Sequence, residues 1–184
     1  LWRDELVNEL ATQDTEFGQS TDTERRVVTA SKKAKISPQR LGVGPVAARQ
    51  VLLSGIPRTL GVRIVSITKK RVVAEMKVKP IHINRSGRVN GGALMAFADV
   101  MGAAGTVANL PAGYRTGTLE SKTNFFRAGE GPALKAVSVP LHIGRTTMVW
   151  QTTIRNPGGA IAAIVTQTQI VIPARSAGIT KDEG

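Results

Sequence analysis

Between Gly91 and Gly105 the chain reads GGALMAFADVMGAAG, and Asp99 is the only charged residue in that run. The segment has the character of a helix that is apolar nearly all round, so it has to be wrapped by the rest of the protein rather than lie on its surface. A carboxylate placed there loses hydration, and an unpaired buried charge is costly. Asp99 comes two turns after the Gly91-Gly92 pair that opens the helix, too far in to serve as an N-cap. It is therefore either a structural acid held by a neighbouring Ser, Thr or Arg, or a functional group.

The segments around this helix read as strands. Leu60 to Thr68 and Val72 to Val78 alternate with β-branched enrichment, and Lys69-Lys70-Arg71 makes the turn between them. Three longer strand-like segments follow the helix, at Thr116–Arg127, Ala133–Ile143 and Thr147–Arg155. The Asn156-Pro157-Gly158-Gly159 turn leads into a last strand over Ala160–Ile172. Upstream, Pro45 to Ser54 reads as a short helix, with Gly55-Ile56-Pro57 as punctuation, and residues 79–90 read as a loop. One long helix among strands joined by tight turns predicts an α+β fold, an antiparallel sheet wrapped around the helix.

The first 43 residues differ from the rest. Residues 1–24 hold seven acidic residues against Arg3 alone, and residues 25–40 reverse the sign with six basic ones. We read 1–43 as an N-terminal extension, with a short amphipathic helix carrying Trp2, Leu6 and Leu10, and 44–184 as the compact domain. The start is acidic and lacks the basic-then-apolar order of a secretory signal, and the missing Met points to a trimmed or partial N-terminus. No apolar stretch reaches the ~20 residues that span a bilayer. A cytoplasmic protein without a membrane partner is the expectation.

Absence of cysteine excludes disulfides, zinc-thiolate sites and cysteine nucleophiles, and two histidines are too few for a histidine-rich metal site. We expect no metal and no cofactor. The net charge of +12 suits either nucleic acid or an anionic small molecule. With aromatics at 4% and no clustered stacking motif, we expect no nucleic-acid partner.

Asn84, Gly87, Asn90-Gly91-Gly92 and then Asp99 stand in an order that resembles the hot-dog-fold acyl-CoA thioesterases, closest to the phenylacetate-degradation and hydroxybenzoyl-CoA types. Downstream, Glu120 to Asn124 and Arg127, His142-Ile143-Gly144-Arg145 and Val149-Trp150-Gln151 look like the strands after the helix in that group. The resemblance covers residues 53–172. It departs at Asn90, where the family carries His; an Asn can donate a hydrogen bond but supplies no imidazole.

The resemblance implies a hot-dog fold and hydrolysis of an acyl- or aryl-CoA thioester, CoA being part of the substrate. It implies a homodimer or homotetramer in which the helix acid of one protomer meets the Gly-Gly N–H groups of the other. Asp99 could act as general base toward water or attack the carbonyl itself. Gly91 and Gly92, at a helix N-terminus, suit an oxyanion: Gly92 N–H as the donor, Gly91 as a contact to the CoA moiety. Asn84 could orient the water or the carbonyl, Asn90 could donate a hydrogen bond, and Thr118 has a secondary polar role near the acid. Arg127, Gly144 and Arg145 are the expected contacts to CoA phosphates. His82 and His142 read as structural, and Glu120 as the partner of a nearby base. The competing functions are a hydratase or dehydratase of acyl thioesters, which would want the missing His, and an acyl-CoA-binding protein without turnover.

Overall fold

The computed structural model describes residues 44–51 and 55–174. The N-terminal extension with its short helix, and the last ten residues, lie outside the described residues. Helices α1 (Pro45–Val51) and α2 (Gly55–Leu60) precede a β-hairpin of β1 (Val62–Thr68) and β2 (Arg71–Lys77). The central helix α3 (Gly91–Val107) follows, then β3 (Tyr114–Phe125), β4 (Ala133–Ile143), β5 (Thr147–Arg155) and β6 (Ile161–Pro173). All neighbouring strands are antiparallel, in the order β1-β2-β4-β5-β6-β3. β2 and β3 thus lie on opposite sides of the meander β4-β5-β6, and α3 carries the chain beneath the sheet from one side to the other. This is the hot-dog fold expected from the sequence.

Two local readings change. Gly55-Ile56-Pro57 opens α2 instead of breaking the chain: Pro57 falls in the first turn, where its missing N–H costs no helical hydrogen bond. Gly61, at φ +68, then turns the chain into β1. Within 79–90, Pro80–His82 forms one 3₁₀ turn.

The core lies between the sheet and α3. Alternation along β5 sends Met148, Trp150, Thr152 and Ile154 inward, against Leu94, Phe97 and Met101 of the helix. Trp150 fits because residue 105 is Gly; a Cβ there would stand 2.7 Å from the indole ring. Ten of the 17 residues of α3 are buried, but Gly92, Met95, Ala96, Asp99 and Ala103 form a partly exposed stripe at helical spacing. Asp99 is therefore half-buried in the single chain, not enclosed, because the sheet covers only one side of α3. Beside that stripe runs β3, an edge strand with Leu119 and Phe125 exposed.

Candidate active site

Asp99 and Thr118 come together, as the sequence suggested: Thr118 Oγ1 donates to Asp99 Oδ1 at 2.8 Å. A β-bulge brings this about. The register of β3 against β6 slips between Thr118 and Glu120, so Thr118 faces the helix from one side of the slip and Ser121 from the other. Gln167 of β6 completes the arrangement, its Nε2 donating to the same Asp99 Oδ1 and, at 3.2 Å, to Thr118 Oγ1. Behind it Gln169 Nε2 donates to Thr118 Oγ1 at 2.8 Å, and Thr116 Oγ1 lies 2.8 Å from Ile170 O and 3.1 Å from Gln169 Oε1, two acceptors for its one proton. The Gln169, Gln167 and Thr118 protons in this chain of bonds run toward Asp99 Oδ1. Asp99 Oδ2 has no partner among the described residues.

Sequence reasoning missed Gln167 and Gln169. Both are buried, at 1% and 0% exposed. Gln167 reaches the acid only because residue 102 is Gly; a Cβ there would lie 2.8 Å from Gln167 Cδ and overlap the amide. With Nε2 facing the carboxylate, Gln167 Oε1 has no donor among the described residues. An orphaned buried acceptor costs roughly 1–3 kcal/mol.

The start of α3 forms a second cluster. Asn90 is the N-cap, and its Oδ1 accepts the Gly92 N–H at 2.7 Å. The Gly92 donor named from the sequence is thus engaged by the chain itself, whereas the Gly91 N–H meets no acceptor among the described residues. Phe125 packs on Gly91, where a Cβ would stand 3.1 Å from its ring. Asn90 N donates to His82 O at 2.7 Å and Val89 N to Gly129 O at 2.9 Å, fixing the chain as it enters the helix. Asn84 closes the preceding turn: its Oδ1 accepts from Ser86 N at 2.9 Å and Arg88 N at 3.1 Å.

Asp99 and Gly91 are eight residues apart on one helix, about 12 Å at ~1.5 Å per residue. A single thioester carbonyl cannot touch both within one chain. The basic residues are also separated. Arg127 and Arg155 line one open groove of ≈ 430 Å³ with Phe126, Ile161 and Ile164. Gly144 and Arg145 form the turn before β5, where Gly144 N donates to Thr147 O at 2.9 Å. The nine residues of β5 place that turn roughly 26 Å from Arg155. One chain therefore cannot bring Arg127 and Arg145 to the same phosphate.

His82 is 2% exposed. Its Nδ1 accepts the Lys79 N–H at 3.1 Å, which places the ring proton on Nε2. Burial first, and the Lys79 charge second, push the imidazole below its usual pKa. His142 is exposed at a β4 bulge. The ion pairs among the described residues join Arg63 to Glu75 and Arg88 to Glu130; Glu120 takes part in neither, because the bulge turns it away from the helix, opposite Thr168. No helix among them is long and apolar enough to cross a membrane.

A long helix under an antiparallel sheet, with an acid held mid-helix and the Gly91 N–H open at its start among the described residues, defines a hot-dog thioester hydrolase. Residues 86–163 match the thioesterase superfamily. ComA2 of Bacillus subtilis, which bears an esterase name, is 34% identical over 92 residues, covering 50% of this chain and 73% of that one. The 1,4-dihydroxy-2-naphthoyl-CoA hydrolase of Listeria monocytogenes is 25% identical over 97 residues, covering 53% and 79%. Among solved structures, a hypothetical thioesterase of Streptococcus pneumoniae TIGR4 crystallised with coenzyme A superposes with a TM-score of 0.57 at 28% identity, covering 62% and 88%. The chain belongs to the thioesterase superfamily.

Proposed function

We propose that this protein hydrolyses small or medium acyl- or aryl-CoA thioesters at a site shared by two copies of the chain. The observation that carries the reading is the state of Asp99: one oxygen is held by Thr118 and Gln167, and the other is open beside an exposed edge strand. The 12 Å between acid and helix start is bridged when Asp99 of one copy faces Gly91 of a second. The oxyanion donor is then the Gly91 N–H, not that of Gly92, which Asn90 occupies. The CoA hydrolase of Listeria and the CoA-bound thioesterase of Streptococcus support a CoA thioester as substrate. A cytoplasmic homodimer or homotetramer is the form we propose.

In the general-base course, Asp99 Oδ2 takes a proton from water as the water oxygen bonds to the thioester carbon. The carbonyl electrons move onto oxygen, where the Gly91 N–H and the positive end of the helix dipole stabilise them. The C–S bond then breaks, and the departing thiolate takes the proton from Asp99. In the nucleophilic course, Oδ2 itself bonds to the carbonyl carbon and expels the thiolate; water hydrolyses the resulting mixed anhydride. Both courses use the carboxylate, water and backbone donors, with no metal or added cofactor.

The test is thiol release from short, long and aryl acyl-CoAs by wild type and Asp99→Asn, with an enoyl-CoA hydration assay alongside. We expect hydrolysis by wild type and loss of at least a hundredfold in the variant, at unchanged oligomer size. Turnover retained by Asp99→Asn removes the acid from the mechanism. Hydration of the enoyl-CoA would favour the hydratase alternative, and binding without turnover an acyl-CoA-binding role.

A further inference from the structure

We propose that Gln167 is a positioning residue for Asp99, and that the missing side chain at Gly102 exists to admit it. The inference rests on the thioesterase reading of Asp99 and goes beyond it, because Gln167, 1% exposed, acts on the acid from behind. Gln167 Nε2 bonds to both members of the Asp99–Thr118 pair, at Asp99 Oδ1 and at Thr118 Oγ1 (3.2 Å). Gln169 Nε2, at 2.8 Å from Thr118 Oγ1, supplies a second donor to that hydroxyl. With its lone pairs taken by two amides, the Thr118 proton is left to point at Asp99. The carboxylate plane is therefore set from the strand side, Oδ1 is saturated, and Oδ2 is the oxygen presented for proton transfer or attack.

The direction of the Gln167 amide carries the argument. In the opposite orientation Oε1 would face the carboxylate, oxygen against oxygen. In the present one Oε1 lies buried against Gly102 with no donor among the described residues. An apolar side chain of similar length would avoid that orphan and suit the buried Val165, two residues before it on the same face of β6. A residue that leaves a buried acceptor unpaired in order to donate to an acid is placed for the acid and not for packing. Gly102 shows the same preference: Ala would favour the helix, yet its Cβ would overlap the Gln167 amide.

The experiment compares wild type, Asp99→Asn, Gln167→Met, Gly102→Ala and the Gln167→Met/Gly102→Ala double variant. The full chain is used, with the acyl-CoA that wild type turns over fastest in the panel above. For Gln167→Met we expect kcat to fall about tenfold to a hundredfold, the scale of a misplaced catalytic group. KM should stay within threefold and the melting temperature should be unchanged or raised. Gly102→Ala should lose activity to a similar extent by evicting the amide, and should cost less than threefold when added to Gln167→Met. A merely structural Gln167 would lower the melting temperature and leave kcat in place. If Asp99→Asn is inactive while Gln167→Met stays within twofold of wild type, the positioning role is overturned and the acid keeps its own. If the two single variants instead lose activity independently, so that their effects multiply, the link to Gly102 is overturned. If Asp99→Asn remains active, or wild type turns over no thioester, the parent reading fails and this one with it.

Discussion

Asn90→Asp should move stability and catalysis in opposite directions. The Asn90 Oδ1 accepts the Gly92 N–H at 2.7 Å, and an Asp carboxylate keeps that acceptor. Asn and Asp cap helices about equally well, and the added negative charge meets the positive end of α3, a gain of roughly 0.3–1 kcal/mol. The folded protein should be unchanged or slightly stabilised. In the proposed mechanism, however, the transition state places a second negative charge at the neighbouring Gly91 N–H. Two like charges about 5 Å apart repel by ~3 kcal/mol at an effective dielectric constant of 20, or about two-hundredfold in rate.

Bulk water would screen the same pair to ~0.8 kcal/mol, still about fourfold. The assay is kcat by thiol release, at an ionic strength low enough to limit screening, with urea unfolding on the same preparations. Asn90→Ala is the control: it removes the cap at a cost of ~1 kcal/mol in stability but adds no charge, so kcat should fall far less than in Asn90→Asp. A kcat for Asn90→Asp within twofold of wild type refutes the reasoning, because no oxyanion can then form at this end of the helix.

Acid should weaken the fold through His82. Its pKa is lower folded than unfolded, so between the two values the unfolded chain binds the extra proton; stability is complete above the unfolded value of about 6.5 and is lost as pH falls below it. Urea midpoints measured from pH 8 to pH 5 should decline at the acid end, and the decline should shrink in His82→Gln. Gly105→Ala should destabilise despite the better helix former, since its Cβ would stand 2.7 Å from the Trp150 ring; overpacking of that kind costs about 1–3 kcal/mol against a propensity gain of about 1, and a melting curve reads the balance.

The fold was legible because its strongest elements are strongly periodic. Residues of β5 alternate without interruption, and α3 contains a single charge in 17 residues. What escaped was α2, where Gly55 and Pro57 carry their usual meaning of a turn. A helix of six residues offers too little periodicity to outweigh that signal. The pairing of Asp99 with Thr118 was partly legible, but the bulge that creates it was not, since a one-residue slip leaves no mark in composition. Gln167 was hidden for a related reason. In Thr166-Gln167-Thr168-Gln169 both faces of β6 are polar, and apolar residues flank the run on both parities, Val165 and Val171 on one, Ile164 and Ile170 on the other. Only the register against β3 and β5 shows that the glutamines face the helix.

The reading of α3 as buried all round erred for the single chain, and the error bears on the site. A helix apolar on every side must be covered on every side. The sheet covers one side, leaving Gly92, Met95, Ala96, Asp99 and Ala103 on a face flanked by an open strand edge with Leu119 60% exposed. Small side chains there allow close approach, and an unpaired strand edge offers hydrogen bonds to another strand. The same face holds an acid about 12 Å from the Gly91 N–H it would have to work with. A second copy of the chain against this face would resolve both problems together, covering the apolar stripe and bringing Gly91 to Asp99. In the proposed two-copy site the residual exposure of α3 and the incompleteness of the site would be one property of the chain, and hydrophobic burial would assemble the chemistry.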